Sequence, residues 1–189
     1  MKIAALILAA GAASRFGSTK QLVDIKGKAM LQHCIDSATT VLPDSVYTVL
    51  GNQREMITAS IFDTRIILNS DWQRGLGSSI AAGVSALKDK YQGILILLAD
   101  QTTIKHYHLT QLIQLFNGDN TVCSYYAGNR GVPAIFPKSK YDDLMALQGD
   151  RGAKYILQTM DDQLQTLSLA EAAIDIDRPE DLEALSATL

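Results

Sequence analysis

Apolar and polar positions along this chain fall into two alternating kinds of block. Short runs rich in Ile, Leu and Val read as strands at residues 3–9, 45–50, 64–68, 93–98, 122–126, 132–136 and 164–169. Between them lie longer stretches with apolar residues every three or four positions. These predict helices at 29–41, 53–61, 78–87, 106–116, 138–147 and 152–160, with a closing helix from Pro179. The runs 3–9 and 93–98 are apolar throughout, as strands covered on both faces must be. Strands separated by helices imply an α/β fold with a mostly parallel sheet between helical layers. No repeat, linker or low-complexity segment interrupts residues 1–189, so one domain is expected. Open sheets of this kind bind ligands beyond the carboxyl ends of their strands. The residues just after each strand are therefore the ones to read for chemistry.

Composition narrows the classes. With 47% hydrophobic and 20% charged residues among 189, the chain is an ordinary globular one, able to build a core without disulfides. A net charge of −3 gives no electrostatic footprint for nucleic acid. The two cysteines, Cys34 and Cys123, sit in apolar stretches without CxxC spacing and read as buried, reduced thiols of a cytoplasmic protein. Lys2 and the apolar run after it resemble a signal peptide, but the run also makes a buried strand flowing into a glycine turn, which is the reading adopted. No run is long enough to span a membrane.

The first strand is followed by Ala10-Gly11-Ala12-Ala13-Ser14-Arg15-Phe16-Gly17-Ser18-Thr19-Lys20. Small residues let backbone N–H groups approach an anion, and Arg15 and Lys20 add two cations. The spacing matches neither a Walker A loop nor a dinucleotide fingerprint. It fits a polyphosphate cradle better than a solvated glycine turn, because it comes directly after a buried strand. The other all-apolar strand ends in Leu98-Ala99-Asp100-Gln101. A carboxylate there is placed to hold Mg2+, which is usually bound by one or two carboxylates together with substrate phosphates. Asp100 as a helix cap is the weaker reading, since helix onset is expected near Lys105. Further on, Asp175 and Asp177 alternate with isoleucines and point the same way if extended. As they stand, a metal ligand and a cap for the last helix, with Pro179 in its first turn, are equally good readings of Asp177.

The stretches Leu8-Ala9-Ala10-Gly11, Ser14-Arg15-Phe16-Gly17 and Lys20 resemble the signature loop of the MobA-like nucleotidyltransferases related to molybdenum-cofactor cytidylyltransferase. Similar too are Gly75-Leu76-Gly77-Ser78-Ser79, Gly131-Val132-Pro133, Gly149-Asp150-Arg151-Gly152 and Asp175-Ile176-Asp177, in family order from Leu8 to Leu182. The resemblance implies a three-layer αβα, Rossmann-like domain of the nucleotide-diphospho-sugar transferase type. It implies a nucleotide site built from Leu8, Ala10, Gly11, Ala12, Ser14, Arg15, Lys20, Gly77, Ser78, Ser79 and Asp100, with Arg15, Lys20 and Asp100 catalytic. By the same resemblance Gly131, Pro133, Gly149, Asp150 and Gly152 form an acceptor wall, and Asp177 joins Asp100 on Mg2+, with Asp175 beside it. Ordinary turn chemistry and a Ser N-cap are the plainer readings of the middle motifs.

The implied reaction moves CMP from CTP, or another nucleoside triphosphate, to the terminal phosphate of a molybdopterin-type acceptor, with a molybdenum hydroxylase as a downstream partner. Ala10 favours cytidine, because guanylyl-transferring relatives tend to carry glycine there. Thr102 stands where the family often has Pro, and Lys154 where it often has Arg. The second departure removes a bidentate anion ligand. A sugar-phosphate nucleotidyltransferase and a non-catalytic carrier of the finished cofactor are the rival readings. His106 and His108, at i,i+2 spacing, make no metal pair and are expected at the surface; His33 is expected in the core or exposed.

Overall fold

The apolar run at the start of the chain forms β1 (Ile3–Leu8), buried at every position. The computed structural model describes residues 1–11, 19–160, 164–174 and 176. β2 (Asp24–Ile25) and β3 (Lys28–Ala29) make a small separate hairpin. The remaining strands are β4 (Val46–Leu50), β5 (Arg65–Leu68), β6 (Gly93–Leu98), β7 (Thr121–Tyr126), β8 (Asn129–Pro137) and β9 (Leu164–Ser168). With β1 they form one seven-stranded sheet in the order β5-β4-β1-β6-β8-β7-β9. All of its pairings are parallel except those of β8 with β6 and β7. This is the single α/β domain with a mostly parallel mixed sheet that the strand–helix alternation predicts.

Side chains alternate across a strand, and β1 shows it. Ala5, Ile7 and Ala9 face one core with Leu31, Ile35 and Ala38 of α1 (Met30–Val41) and Leu109 and Leu112 of α4 (His106–Leu115). Ala4, Leu6, Leu8 and Ala10 face the other, with Ile80, Val84 and Leu87 of α3 (Leu76–Leu87), Leu144 of α5 (Tyr141–Met145) and Ile156 and Leu157 of α6 (Ala153–Thr159). The spacing of Ile80, Val84 and Leu87 is the helical period that predicts α3. Gly83 lets that helix close onto β1: an added Cβ would lie 2.5 Å from the Leu6 side chain.

Several boundaries differ from the sequence expectations, for local reasons. The helix expected at 53–61 shrinks to α2 (Arg54–Thr58), where Ser60 N–H bonds Ile57 O and its hydroxyl donates to Met56 O, tightening the last turn. Between Pro137 and α5 the chain makes a 3-10 turn, Lys138–Lys140, so the helix expected from 138 begins at Tyr141. β8 begins at Asn129 because Ala127 and Gly128, at φ +47° and +74°, join it to β7 as a tight hairpin. The hairpin of β2 and β3 turns in the same way through Lys26 and Gly27 and is too short to show a hydrophobic period. His108 is buried rather than exposed. Its Nδ1 accepts the Lys105 N–H at the start of α4, and burial lowers the imidazole pKa. The helix expected from Pro179 lies outside the described residues.

The topology creates one crevice. After β1 the chain builds outward through β4 and β5, then α3 crosses to the other face and returns it to β6, on the far side of β1. The strand order therefore reverses between β1 and β6, and ligands bind at such switch points. Leu8 pairs with Leu98, so the two strands end level and deliver Ala10 and Asp100 side by side. β8 runs the other way, so its beginning rather than its end lies at this rim.

Candidate active site

The site starts where β1 opens. Ala9, Ala10 and Gly11 leave the sheet, and residues 12–18 lie outside the described residues; with them go Ala12, Ser14 and Arg15 of the sequence assignment. The chain is described again from Thr19, entering a 3-10 turn at Lys20–Leu22 that is anchored in three directions. Lys20 Nζ meets Asp100 Oδ2 at 2.8 Å, Gln21 bonds back to the end of β1, and Leu22 packs on the core. Among the described residues nothing lies within 4 Å of a Cβ added to Gly11.

Asp100 stands two residues beyond β6, at the switch point. It does not cap α4, whose N-cap is Lys105. Its Oδ2 takes the Lys20 ammonium, while Oδ1 is buried and has no hydrogen-bond partner among the described residues. An orphaned buried carboxylate oxygen costs stability unless something binds it. A hard divalent cation fits that oxygen chemically. Asp177, the second carboxylate of the sequence assignment, lies outside the described residues, as does Asp175. Between them Ile176 is fully buried against Ile25 and Met30, on the hairpin side that follows Lys20. No cluster of three acidic, His or Cys side chains occurs among the described residues.

Cys34 lies beneath Asp100 on α1, its thiol 3.6 Å from Leu98 O. Burial, and secondarily the Asp100 charge, pushes its pKa up to about 12 from 9.0. Because the folded value is the higher one, the stability this thiol contributes is complete below pH 9 and is lost as pH rises toward 12. At pH 8.5 the native thiol should resist iodoacetamide while the unfolded chain is alkylated at Cys34. Mass spectrometry checks this, and fast native labelling contradicts it.

The middle motifs come together at the start of α3. Gly75 is the N-cap at φ +96°, and a Cβ there would lie 2.4 Å from Gly149 O and 2.7 Å from Asp150 Oδ1. Gly77 N–H donates to Gly149 O at 2.9 Å. A Cβ on Gly152 would press on Leu76 at 2.8 Å. Residues assigned separately to nucleotide and acceptor thus share one backbone interface. Ser78 is not the N-cap; its Oγ lies 2.8 Å from Gly75 O and 3.0 Å from Asp71 O and accepts from Asn69 Nδ2 at 2.9 Å, so its hydroxyl is used internally. Ser79 Oγ accepts from Asn69 at 3.0 Å, which leaves its hydrogen to donate. At the rim of β8, Gly131 and Pro133 are buried, with a Gly131 Cβ only 2.3 Å from the Tyr126 hydroxyl. Gln101 ties this region to Asp100's loop by donating to Val132 O and Ala172 O, both at 3.1 Å. Gly149 and Asp150 are exposed, and Gly152 is half-buried.

Sequence reading missed Gln21, Asn69 and Gln101, all buried amides beside the site. Asn69 directly follows β5 and Gln101 directly follows Asp100. The rule of reading what comes after each strand therefore pointed at both, but an amide that braces backbone has no motif of its own.

The Lys20–Asp100 pair stands at the topological switch point, beside the glycine that follows β1, where an open α/β sheet binds its ligands. Residues 5–166 match the MobA-like NTP transferase domain, and the chain belongs to that family. The chain is 28% identical to the purine catabolism protein PucB of Bacillus subtilis, covering 94% of this chain and 93% of that one. It is 32% identical over 124 residues to the bifunctional protein GlmU of Mycobacterium leprae, covering 60% of this chain and about a quarter (25%) of GlmU. The Rv0371c structure from Mycobacterium tuberculosis, determined in complex with manganese, superposes with a TM-score of 0.83 at 21% identity and covers 100% of both chains. Among the described residues no helix is long and apolar enough to cross a membrane.

Proposed function

We propose that this nucleotidyltransferase moves CMP from CTP to the terminal phosphate of a molybdopterin-type cofactor and releases pyrophosphate. The observation that carries the chemistry is the Lys20–Asp100 pair at 2.8 Å, with the second oxygen of Asp100 buried and unpartnered. An oxygen of the acceptor phosphate attacks the α-phosphorus of CTP, and the bond from that phosphorus to the β-phosphate bridge breaks. The attacking oxygen is already anionic, so no general base is required. What the protein must supply is alignment of two anions and relief of their repulsion. A divalent ion, Mg2+ in this reading, would be held by Asp100 and Asp177 and would neutralise charge on the phosphates.

Lys20 lies where a terminal phosphate would draw it from Asp100, and Arg15 is assigned alongside it. Ser79 keeps a hydroxyl hydrogen for the nucleotide, whereas Gly77 and Ser78 shape the turn that presents it. On the acceptor side the exposed pair Gly149 and Asp150 face the substrate; Gly131, Pro133 and Gly152 stand behind. The order of motifs along the chain supports the molybdenum acceptor, and Ala10 supports cytidine. A cytoplasmic location and hand-over to a molybdenum hydroxylase belong to the same proposal.

The test is incubation with each nucleoside triphosphate, Mg2+ and either a molybdopterin acceptor or sugar phosphates, following pyrophosphate release. CTP with the pterin should be the productive pair; release only with sugar phosphates would overturn the acceptor. Gly11→Ala offers a check on the loop. The added methyl meets no atom of the described residues, so the melting temperature should hold while the KM for CTP rises about tenfold, a loss of ~1.4 kcal/mol of binding. An unchanged KM would remove Gly11 from the nucleotide site.

A further inference from the structure

Three consecutive carbonyls leave the end of β1, and all three are held back by the protein. Gln21 Nε2 donates to Ala9 O at 2.9 Å and to Gly11 O at 3.0 Å. The carbonyl between them, Ala10 O, accepts the Asn52 N–H at 3.0 Å. The amides behave differently. Ala9 N–H bonds Val49 O, but among the described residues neither Ala10 N–H nor Gly11 N–H donates to anything. The segment is therefore polarised, its acceptors occupied and two donors left over, with no atom of the described residues within 4 Å of a Cβ at Gly11.

This polarity depends on one side chain. Gln21 is 8% exposed and uses both amide hydrogens on the two flanking carbonyls. A buried glutamine so used is not filling space, since an apolar residue would fill it without having to satisfy a polar group. An anion near a strand end is attracted by N–H dipoles and repelled by C=O dipoles, and whichever set is free to turn toward it decides the sign.

We propose that Gln21 is a positioning residue for the nucleotide: by holding the carbonyls of Ala9 and Gly11 back, it keeps the amides of Ala10 and Gly11 as the donors that meet the anionic phosphates. The proposal rests on the reading of this loop as a nucleotide site. Gln21 touches no substrate; it acts through the backbone it braces. Its replacement should weaken binding of the phosphates without slowing the chemistry of what is bound, because Lys20 and Asp100 keep their places.

The experiment is titration calorimetry of the full chain with Mn2+·tripolyphosphate, which carries no base, and with Mn2+·CTP, alongside steady-state kinetics. Gln21→Met, which keeps the packing and loses the donors, should weaken both ligands about tenfold and raise the KM for CTP, with kcat within about twofold of the parent. Gln21→Glu carries the same test should the Met variant fail to fold. It should bind weakly at pH 7.5 and recover toward pH 5, where a protonated carboxyl regains one donor. Parent-like affinity, or a loss confined to kcat, overturns the assignment. Lys20→Met is the reference. If it weakens tripolyphosphate and Gln21→Met does not, the Gln21 assignment alone is wrong. If the parent chain binds neither ligand, the nucleotide reading of the loop falls and the Gln21 role with it.

Discussion

Asp100→Asn should abolish nucleotidyl transfer, lowering kcat/KM by at least about 1,000-fold, while the protein still folds. The substitution keeps size and shape and removes one charge from the point where β1 and β6 diverge. The buried Oδ1, which has no partner among the described residues, would become an amide atom far less able to hold a divalent ion. The Lys20 side chain, 15% exposed, would lose the Asp100 carboxylate as a partner. That loss costs less than the ~3–5 kcal/mol of breaking a fully buried pair, because both groups still reach water. A lower melting temperature with a cooperative transition is expected. Calorimetry separates the roles: Mn2+ binding should disappear, while metal-free CTP still binds, because Lys20 keeps its charge. Retained transfer at the parent rate would remove Asp100 from the metal site.

Lys20→Met should lower kcat by about 100- to 1,000-fold, the scale seen when one oriented charge is removed from a transition state. The leaving pyrophosphate gains negative charge as its bond breaks, and Lys20 is the described cation nearest Asp100. A second, opposite effect follows from the pair itself. Without nucleotide, Lys20 competes with a metal ion for Asp100, so Lys20→Met should bind free Mn2+ more tightly than the parent chain. Weaker or equal Mn2+ binding would mean that the 2.8 Å contact does not oppose the metal. Lys20→Arg should restore only part of the rate, because a planar guanidinium does not substitute for a compact ammonium.

Much of this was legible in the sequence, for reasons visible in particular residues. β1 and β6 could be read from apolar runs alone, because a strand buried on both faces admits no polar residue. Asp100 could be read from its position after such a strand. What was not legible depends on partners far apart in the chain or on hydrogen-bond direction. Lys20 and Asp100 stand 80 positions apart, and only the pairing of Leu8 with Leu98 makes them neighbours. Gln21, Asn69 and Gln101 look like ordinary polar residues until the carbonyls and hydroxyls they serve are seen. His108, expected at the surface, stands at the third position of α4, where it accepts a backbone N–H and turns inward. Ser78, for which an N-cap was the alternative to nucleotide contact, lies inside α3, since Gly75 ends the preceding turn.

The contact between Gly75, Gly77 and the chain at Gly149 limits how this protein can change. Gly77 meets backbone alone there, and Gly75 meets the Gly149 backbone with Asp150 Oδ1 beside it, which leaves little to absorb a shift. A substitution that widened one loop would displace the other, so the two cannot be varied independently. Transplanting a relative's preference for base or acceptor onto this chain should succeed when residues 72–79 and 147–152 are exchanged as a unit, and fail when either is moved alone.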